Sequence, residues 1–466
     1  MARMTAPVRV AVVGSGPAGL YAAEALVKQA GGEVRVDVFD RLPTPYGLVR
    51  YGVAPDHPSI KSIARYLQKV LEHPSVRFFG CVELGRDLTR EQLLDCYDAV
   101  VYSTGAMVDR HLGVPGEDLP GSIAATDFVN WYCGHPDAAD HRFDLSAEEV
   151  AVIGVGNVAV DVVRILAKTP GDLRRTDVPE QVLEALGRSR VRRIHMIGRR
   201  GPAQAKFTTK ELRELGALDN ASVHVRPGDM ELSPADAALA ESDRHVRGNV
   251  KVMSGWTAGP EEGPAGKPRR IDVRFWRAPL EILGAGRVEG LKLERTRLDE
   301  TGRVTGTGEY ETLPVGLVLR SVGYQSVPLA GVPFDGRAHV VPNDGGRVLS
   351  PDGAPLPREY VAGWIKRGPT GVVGTNKSDA AETVRNLLED LAARPPGTGR
   401  PRHTVEELLE TSGLPVVTYA DWLNLDAAEI ALARTLDRGE RVKLARWEAM
   451  LSEAKAQRGS PSGSPL

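Results

Sequence analysis

Residues 8–40 read VRVAVVGSGPAGLYAAEALVKQAGGEVRVDVFD, and this stretch decides the fold. Val8 to Val13 is an apolar run of the kind a strand buried on both faces requires. Gly14-Ser15-Gly16-Pro17-Ala18-Gly19 follows at once, and Leu20 to Leu26 carries helical periodicity. Val34 to Phe39 is a second apolar strand, closed by the acid Asp40. Strand, glycine turn, helix, strand and acid, in that order, make a dinucleotide-binding βαβ unit. The three glycines serve different ends. Gly14 permits the tight turn, Gly16 lets backbone approach a pyrophosphate, and Gly19 lets helix pack on strand. The helix start offers unpaired N–H groups and a positive dipole end to phosphate. Asp40 is placed to accept a hydrogen bond from a ribose hydroxyl, and with only Arg41 behind it the site suits FAD.

A second copy of the pattern lies at 149–200. Val150 to Ile153 is its strand, Gly154-Val155-Gly156-Asn157-Val158-Ala159 its turn, and Val160 to Leu166 its helix. Ala159 replaces the third glycine, a variant that still packs closely. The next strand, Val191 to Gly198, ends in Arg199-Arg200 in place of an acid. Two guanidinium groups there suit the 2′-phosphate of NADP, which they can grip with forked, charge-assisted hydrogen bonds; a solvated corner is the structural alternative.

Around these units the chain reads as α/β. Residues 42–58 are rich in Pro and Gly and predict a ligand-hugging loop without regular structure, followed by a helix from Lys61 to Leu71. Val76–Phe79 and Ala99–Ala106 predict further strands of the first domain. From Val223 to Val322 the pattern predicts short alternating strands, clearest at Ile271–Trp276 and Leu291–Arg295, as a small antiparallel layer. Val315–Tyr324 reads as a return strand to the first domain, and Glu359–Trp364 as another strand. Gly368 to Asn376 is a glycine turn before a helix starting near Ser378. Loops are expected over 259–267 and 394–403, helix over 425–455, and a mobile tail over 456–466.

Composition narrows the function. With 59 Lys plus Arg against 61 Asp plus Glu, the net charge of −2 gives no bulk attraction to nucleic acid, so no nucleic-acid partner is expected. Cys81, Cys96 and Cys133 are far apart and form no CxxC, so neither a redox disulfide nor an iron–sulfur cluster is encoded, and no metal site is expected. Reduced thiols and the lack of a membrane or leader segment point to the cytoplasm.

Five further stretches carry a family resemblance: Pro45-Tyr46-Gly47-Leu48-Val49-Arg50, Gly52 to Pro58, Gly156 to Asp161, Lys206 to Leu215, and Gly363-Trp364 to Asn376-Lys377. From about Val8 to Leu388 the chain resembles the adrenodoxin reductase-like ferredoxin–NADP(+) reductases. The resemblance implies two Rossmann-like domains of the glutathione reductase type, the NADP domain (108–323) inserted into an FAD domain (1–107 and 324–466). It implies FAD against Ala18, Asp40, Leu48, Val82, Trp364 and Gly371-Val372-Val373, and NADP against Gly156 to Ala159, Arg199, Arg200, Glu211 and Gly371. Family members usually carry glutamate where Asp40 stands. His57, Asp161 and Glu214 match polar positions beside the flavin and nicotinamide, where the resemblance implies tuning and orientation, with a proton relay to the flavin as a further role. Structural roles also suit them: His57 holding its loop, Asp161 as a helix-surface charge, Glu214 paired with a neighbouring arginine. Gly371, lacking a Cβ, would let the nicotinamide reach the flavin face, with the next helix start favouring negative charge on the reduced ring. The implied partner is a ferredoxin, an acidic iron–sulfur protein. Another reductase subunit, or a sensor holding both nucleotides without turnover, is the competing reading.

Overall fold

The computed structural model describes residues 7–30, 34–257, 266–371, 373–395 and 403–456. The chain divides into two compact units, one formed by Met1–Val108 with Tyr324–Leu466, the other by Asp109–Gly323. Most of the loops expected over 259–267 and 394–403, and the tail from 457 onward, lie outside the described residues.

In the first unit the described residues form an eight-stranded sheet. Its parallel centre runs Pro355–Val361, Ala99–Tyr102, Val8–Val13, Val34–Asp40, Val76–Gly80. Antiparallel strands close both edges: Arg347–Leu349 and Asn343–Asp344 on one side, Val417–Thr418 on the other. The apolar run at Val8 is explained by burial on two faces. Val8, Val10 and Val12 enter one core, with the helices Pro17–Gln29 and Thr375–Ala393. Ala11 and Val13 enter the other, with Val100, Tyr102 and Val361.

The second unit holds a six-stranded parallel sheet among the described residues, in the order Ser122–Ala124, Leu317–Arg320, Glu149–Ile153, Arg193–Ile197, Arg269–Arg274, Ala221–Val225. An antiparallel layer of Arg277–Leu283, Gly290–Leu298 and Val304–Leu313 packs Leu291, Leu293 and Leu313 on Ala151, Ile153 and Ile197.

Four sequence expectations need correction. Ile271–Trp276 is not in the antiparallel layer: Arg269–Arg274 is a parallel strand between the Arg193 and Ala221 strands. Its Asp272 and Arg274 are both buried and paired, Asp272 with Arg193 at 2.5 Å and Arg270 at 2.7 Å. Val315–Tyr324 supplies Leu317–Arg320 to the sheet of the second unit, beside Glu149–Ile153, and is no return strand to the first. The span from Val223 is not all strand, since Pro234–Ser242 and Arg244–Ser254 are helices. Their starts are fixed by Ser233, accepting from Asp236 N, and Asp243, accepting from His245 N and Val246 N. The loop at 42–58 contains the helical turn Leu48–Tyr51, and a second turn, Pro58–Lys61, follows it.

Candidate functional site

The first unit presents a cradle at the end of its central strand. Gly14 has φ +110°, and a Cβ there would stand 2.5 Å from Ser103 O; one on Gly19 would stand 2.0 Å from Gly14 O. Only glycine fits either place. Gly16 caps the helix Pro17–Gln29 with no side-chain hydrogen bond, so the helix start is open to an anion. Asp40 is committed to the turn: Oδ2 accepts from Ser15 N at 2.9 Å and Ser15 Oγ at 2.5 Å, and Oδ1 from Leu42 N at 3.0 Å. A carboxylate has about four acceptor positions, so one is left on Oδ1. Buried Val82 donates its N–H to Asp40 O at 2.9 Å.

The Tyr46–Tyr51 turn lies directly on this cradle. Tyr46 N donates to Ser15 O at 3.0 Å, and a Cβ on Gly47 (φ +47°) would be 3.0 Å from Gly16 Cα. Leu48 is half-buried in this turn, and His57, 4% exposed, opens the helical turn Pro58–Lys61. On the other side Gly363 (φ +81°) packs on Ala18, where a Cβ would stand 2.5 Å from the alanine Cβ. Asp379 accepts from Gly363 N at 2.6 Å, and Thr370 O accepts from Trp364 Nε1 at 3.2 Å and Arg367 Nη2 at 3.3 Å, so this loop is stitched shut. Trp364 is half-buried, its ring 5.7 Å from that of Tyr324. Gly371 takes φ +83°, with Thr375 Oγ1 2.7 Å from where its Cβ would be, and the helix begins at Thr375, earlier than expected. Val373 packs at the edge of the core, and Val372 lies outside the described residues.

The second unit repeats the geometry. Gly154 has φ +140°, and a Cβ there would lie 2.1 Å from Ser321 O. Gly156 caps Asn157–Ala167 with no side-chain bond, and the space where its Cβ would stand is open to 4 Å. Val158 is half-buried and Ala159 fully buried at the helix start. Asn157 Oδ1 accepts from Thr208 N at 2.9 Å, tying the turn to the Lys206–Leu215 motif. Thr208 in turn caps the helix Thr209–Gly216 by accepting from Glu211 N. Arg199 and Arg200 are exposed, with neither guanidinium in a hydrogen bond or ion pair among the described residues. Their backbone is held: Thr296 Oγ1 donates to Arg199 O at 2.8 Å, and Trp276 N to Arg200 O at 3.2 Å.

Within this unit two of the expected residues, Asp161 and Glu211, are joined through a residue sequence reasoning missed. Arg164, 2% exposed, donates to Asp161 Oδ1 at 2.7 Å and to Glu211 Oε2 at 3.3 Å. Its signal was the Asp161-x-x-Arg164 spacing, which puts both on one helix face. Glu214, one turn beyond Glu211, is half-buried and 3.8 Å from Lys210 Nζ.

The three cysteines are free and buried. Burial pushes the Cys81 thiol up to about 12 and the Cys96 thiol up to about 11, so both stay protonated and inert at neutral pH. No helix among the described residues is long and apolar enough to cross a membrane.

Two glycine cradles on parallel sheets define a two-domain pyridine-nucleotide oxidoreductase fold. Accordingly, the sequence pattern of the pyridine nucleotide-disulphide oxidoreductase family matches residues 8–225. NADPH-ferredoxin reductase FprA of Mycobacterium tuberculosis is 45% identical over 460 residues, 96% of this chain and 98% of that protein. The mitochondrial NADPH:adrenodoxin oxidoreductase of Arabidopsis thaliana is 39% identical over 469 residues, 96% of this chain and 95% of that protein. The solved structure of M. tuberculosis FprA in complex with NADPH superposes with a TM-score of 0.90 at 44% identity, covering 96% of this chain and 99% of that one. The chain belongs to the family of NADPH-ferredoxin and NADPH:adrenodoxin reductases.

Proposed function

We propose that this protein is an NADPH-dependent FAD flavoenzyme that delivers electrons to a ferredoxin. The FAD domain is assigned to 1–107 and 324–466, and the NADP domain to 108–323. When both are bound, the nicotinamide supplies a hydride and the flavin takes up the electron pair and releases it singly. The chain's own residues bind and orient. Gly14, Gly16 and Gly19 admit the FAD pyrophosphate to the helix start at Pro17, and the remaining acceptor position of Asp40 takes one ribose hydroxyl. Gly154, Gly156 and Ala159 do the same for NADP, and Arg199 and Arg200 take its 2′-phosphate. Arg164 ties Asp161 and Glu211 together by hydrogen bonds, which links the helices Asn157–Ala167 and Thr209–Gly216. His57, Asp161 and Glu214 tune and orient the reacting rings, since hydride transfer itself needs no acid or base.

One observation carries the reading: two exposed arginines, unpaired among the described residues, stand after the second cradle, where the first cradle ends in an acid. That asymmetry supports reading the second unit as the site of the phosphorylated nicotinamide and the first as that of FAD. The electron acceptor is read as a ferredoxin, an acidic iron–sulfur protein; the supporting fact is that two relatives are named for ferredoxin and for adrenodoxin. With its three buried thiols reduced, the protein works in the cytoplasm. NADPH-driven cytochrome c reduction, measured with and without added ferredoxin, tests the proposal. Ferredoxin-dependent turnover with NADPH is expected. Nucleotide binding with no turnover towards any ferredoxin would favour the sensor reading.

A further inference from the structure

One of the C-terminal helices reaches the Tyr46–Tyr51 turn through a buried charge. Glu429, on the helix Tyr419–Thr435, is fully buried. Its Oε1 accepts from Arg50 Nη2 at 2.5 Å and from Leu444 N at 3.0 Å, and its Oε2 from Arg441 Nη1 at 3.5 Å. Arg50 is itself buried, its guanidinium carbon 5.0 Å from the Trp422 ring centroid and 5.1 Å from that of Tyr51. Buried Lys443 donates to Arg50 O at 2.6 Å, and the Tyr46 ring meets Trp422 edge-on at 6.1 Å. The Tyr46–Tyr51 turn is therefore gripped on two sides, by Ser15 and Gly16 of the cradle and by the C-terminal helices. Its backbone needs that grip, because Tyr46 sits at φ +83°, a region that side-chain-bearing residues avoid unless packing holds them.

We propose that Glu429 is a positioning residue for the flavin: through Arg50 it fixes the turn that the cofactor must lie against. The inference rests on the assignment of FAD to the first cradle. A buried ion pair is a poor device for stability alone, since apolar residues of similar volume fill such a space as well or better. Its directed hydrogen bonds fix orientation, and the object oriented here is the Gly47–Arg50 backbone over the helix start at Pro17.

The test is FAD binding by apoprotein prepared from the full chain, read by dissociation constant and by the visible flavin spectrum. Glu429→Gln, which weakens the charge-assisted bond to Arg50, is expected to weaken FAD by roughly 10- to 100-fold and to alter the flavin band shape, with Glu429→Asp restoring part of both. The pair Arg50→Met with Glu429→Gln removes both charges and keeps an amide oxygen to accept from Leu444 N. It should regain thermal stability without regaining FAD affinity, which separates positioning from folding, and it serves in full if Glu429→Gln fails to fold. Wild-type affinity and spectrum in Glu429→Gln, or in the double variant, would overturn the inference alone. A wild-type chain that takes up no FAD would overturn the functional reading beneath it as well.

Discussion

Replacing Arg199 and Arg200 together by Ala isolates the claim that they read the 2′-phosphate of NADP. Both side chains are exposed and make no ion pair among the described residues, so their removal strands no partner there, and the backbone stays pinned through Thr296 and Trp276. A hydrogen bond to a charged group contributes about 1.5–3 kcal/mol, and exposure puts each arginine at or below the lower end, about 1–1.5 kcal/mol. Two of them give about 2–3 kcal/mol, which at 1.4 kcal/mol per decade is a loss of roughly 30- to 150-fold in kcat/KM for NADPH. NADH has no 2′-phosphate, so its kcat/KM should move by less than about threefold. Steady-state kinetics with both coenzymes at low and moderate salt provide the assay. The wild-type preference for NADPH should shrink as salt rises, and the variant should show little salt dependence. Equal losses for NADH and NADPH would refute the reasoning, because the arginines would then be serving the turn and not the phosphate.

Gly156→Ala should leave the fold intact, since its φ is −119° and no atom lies within 4 Å of the new Cβ; NADPH binding should weaken, and unchanged titration would mean the pyrophosphate lies elsewhere. Gly154→Ala should instead lower the yield of folded protein, its Cβ meeting Ser321 O at 2.1 Å, and a normally folded, NADPH-binding variant would contradict that account. Asp40→Asn loses the negative charge that takes both Ser15 N–H and O–H, and about 1.5–3 kcal/mol of FAD binding or turn stability should go with it, measured by apoprotein titration and thermal melts. The second unit should also be acid-sensitive. His195, 1% exposed between Glu149, Arg274 and Asp272, is pushed below its ordinary 6.5, chiefly by burial. A depressed histidine lets the unfolded chain bind the proton first, so stability declines as pH falls below 6.5. Asp272 and Glu311 are also held below their ordinary range, where paired arginines outweigh burial, so a further decline follows below about pH 4. Thermal melts of His195→Gln should lose the slope between about pH 7 and 5 and keep the lower one.

The two cradles were legible because their signals are local. A buried parallel strand, a glycine turn and a helix fall within about 20 residues of one another, each demanding a residue type. The place of Arg199 and Arg200, just after the strand Arg193–Ile197, was legible for the same reason. Ile271–Arg274 was misread because a polar face buried among partners has the same two-residue period as one facing water, and Asp272 finds its arginine 79 positions away. The helices at 234–254 did carry local signals, Ser233-Pro234 and Asp243, which the alternating strands around them masked. Asp40 stood in its expected place but spends most of its carboxylate on Ser15 and Leu42, a division of labour that spacing cannot express. Glu429 was invisible: its partner Arg50 lies 379 residues away, and nothing in either neighbourhood announces a buried charge.

The most direct measurement is an anaerobic titration of the purified protein with NADPH, following the flavin absorbance. The account predicts a yellow protein, close to one FAD per chain, bleached by about one equivalent of NADPH and recoloured by oxidised ferredoxin. A colourless protein that neither releases nor rebinds FAD, or a yellow one that NADPH leaves unchanged, would contradict it.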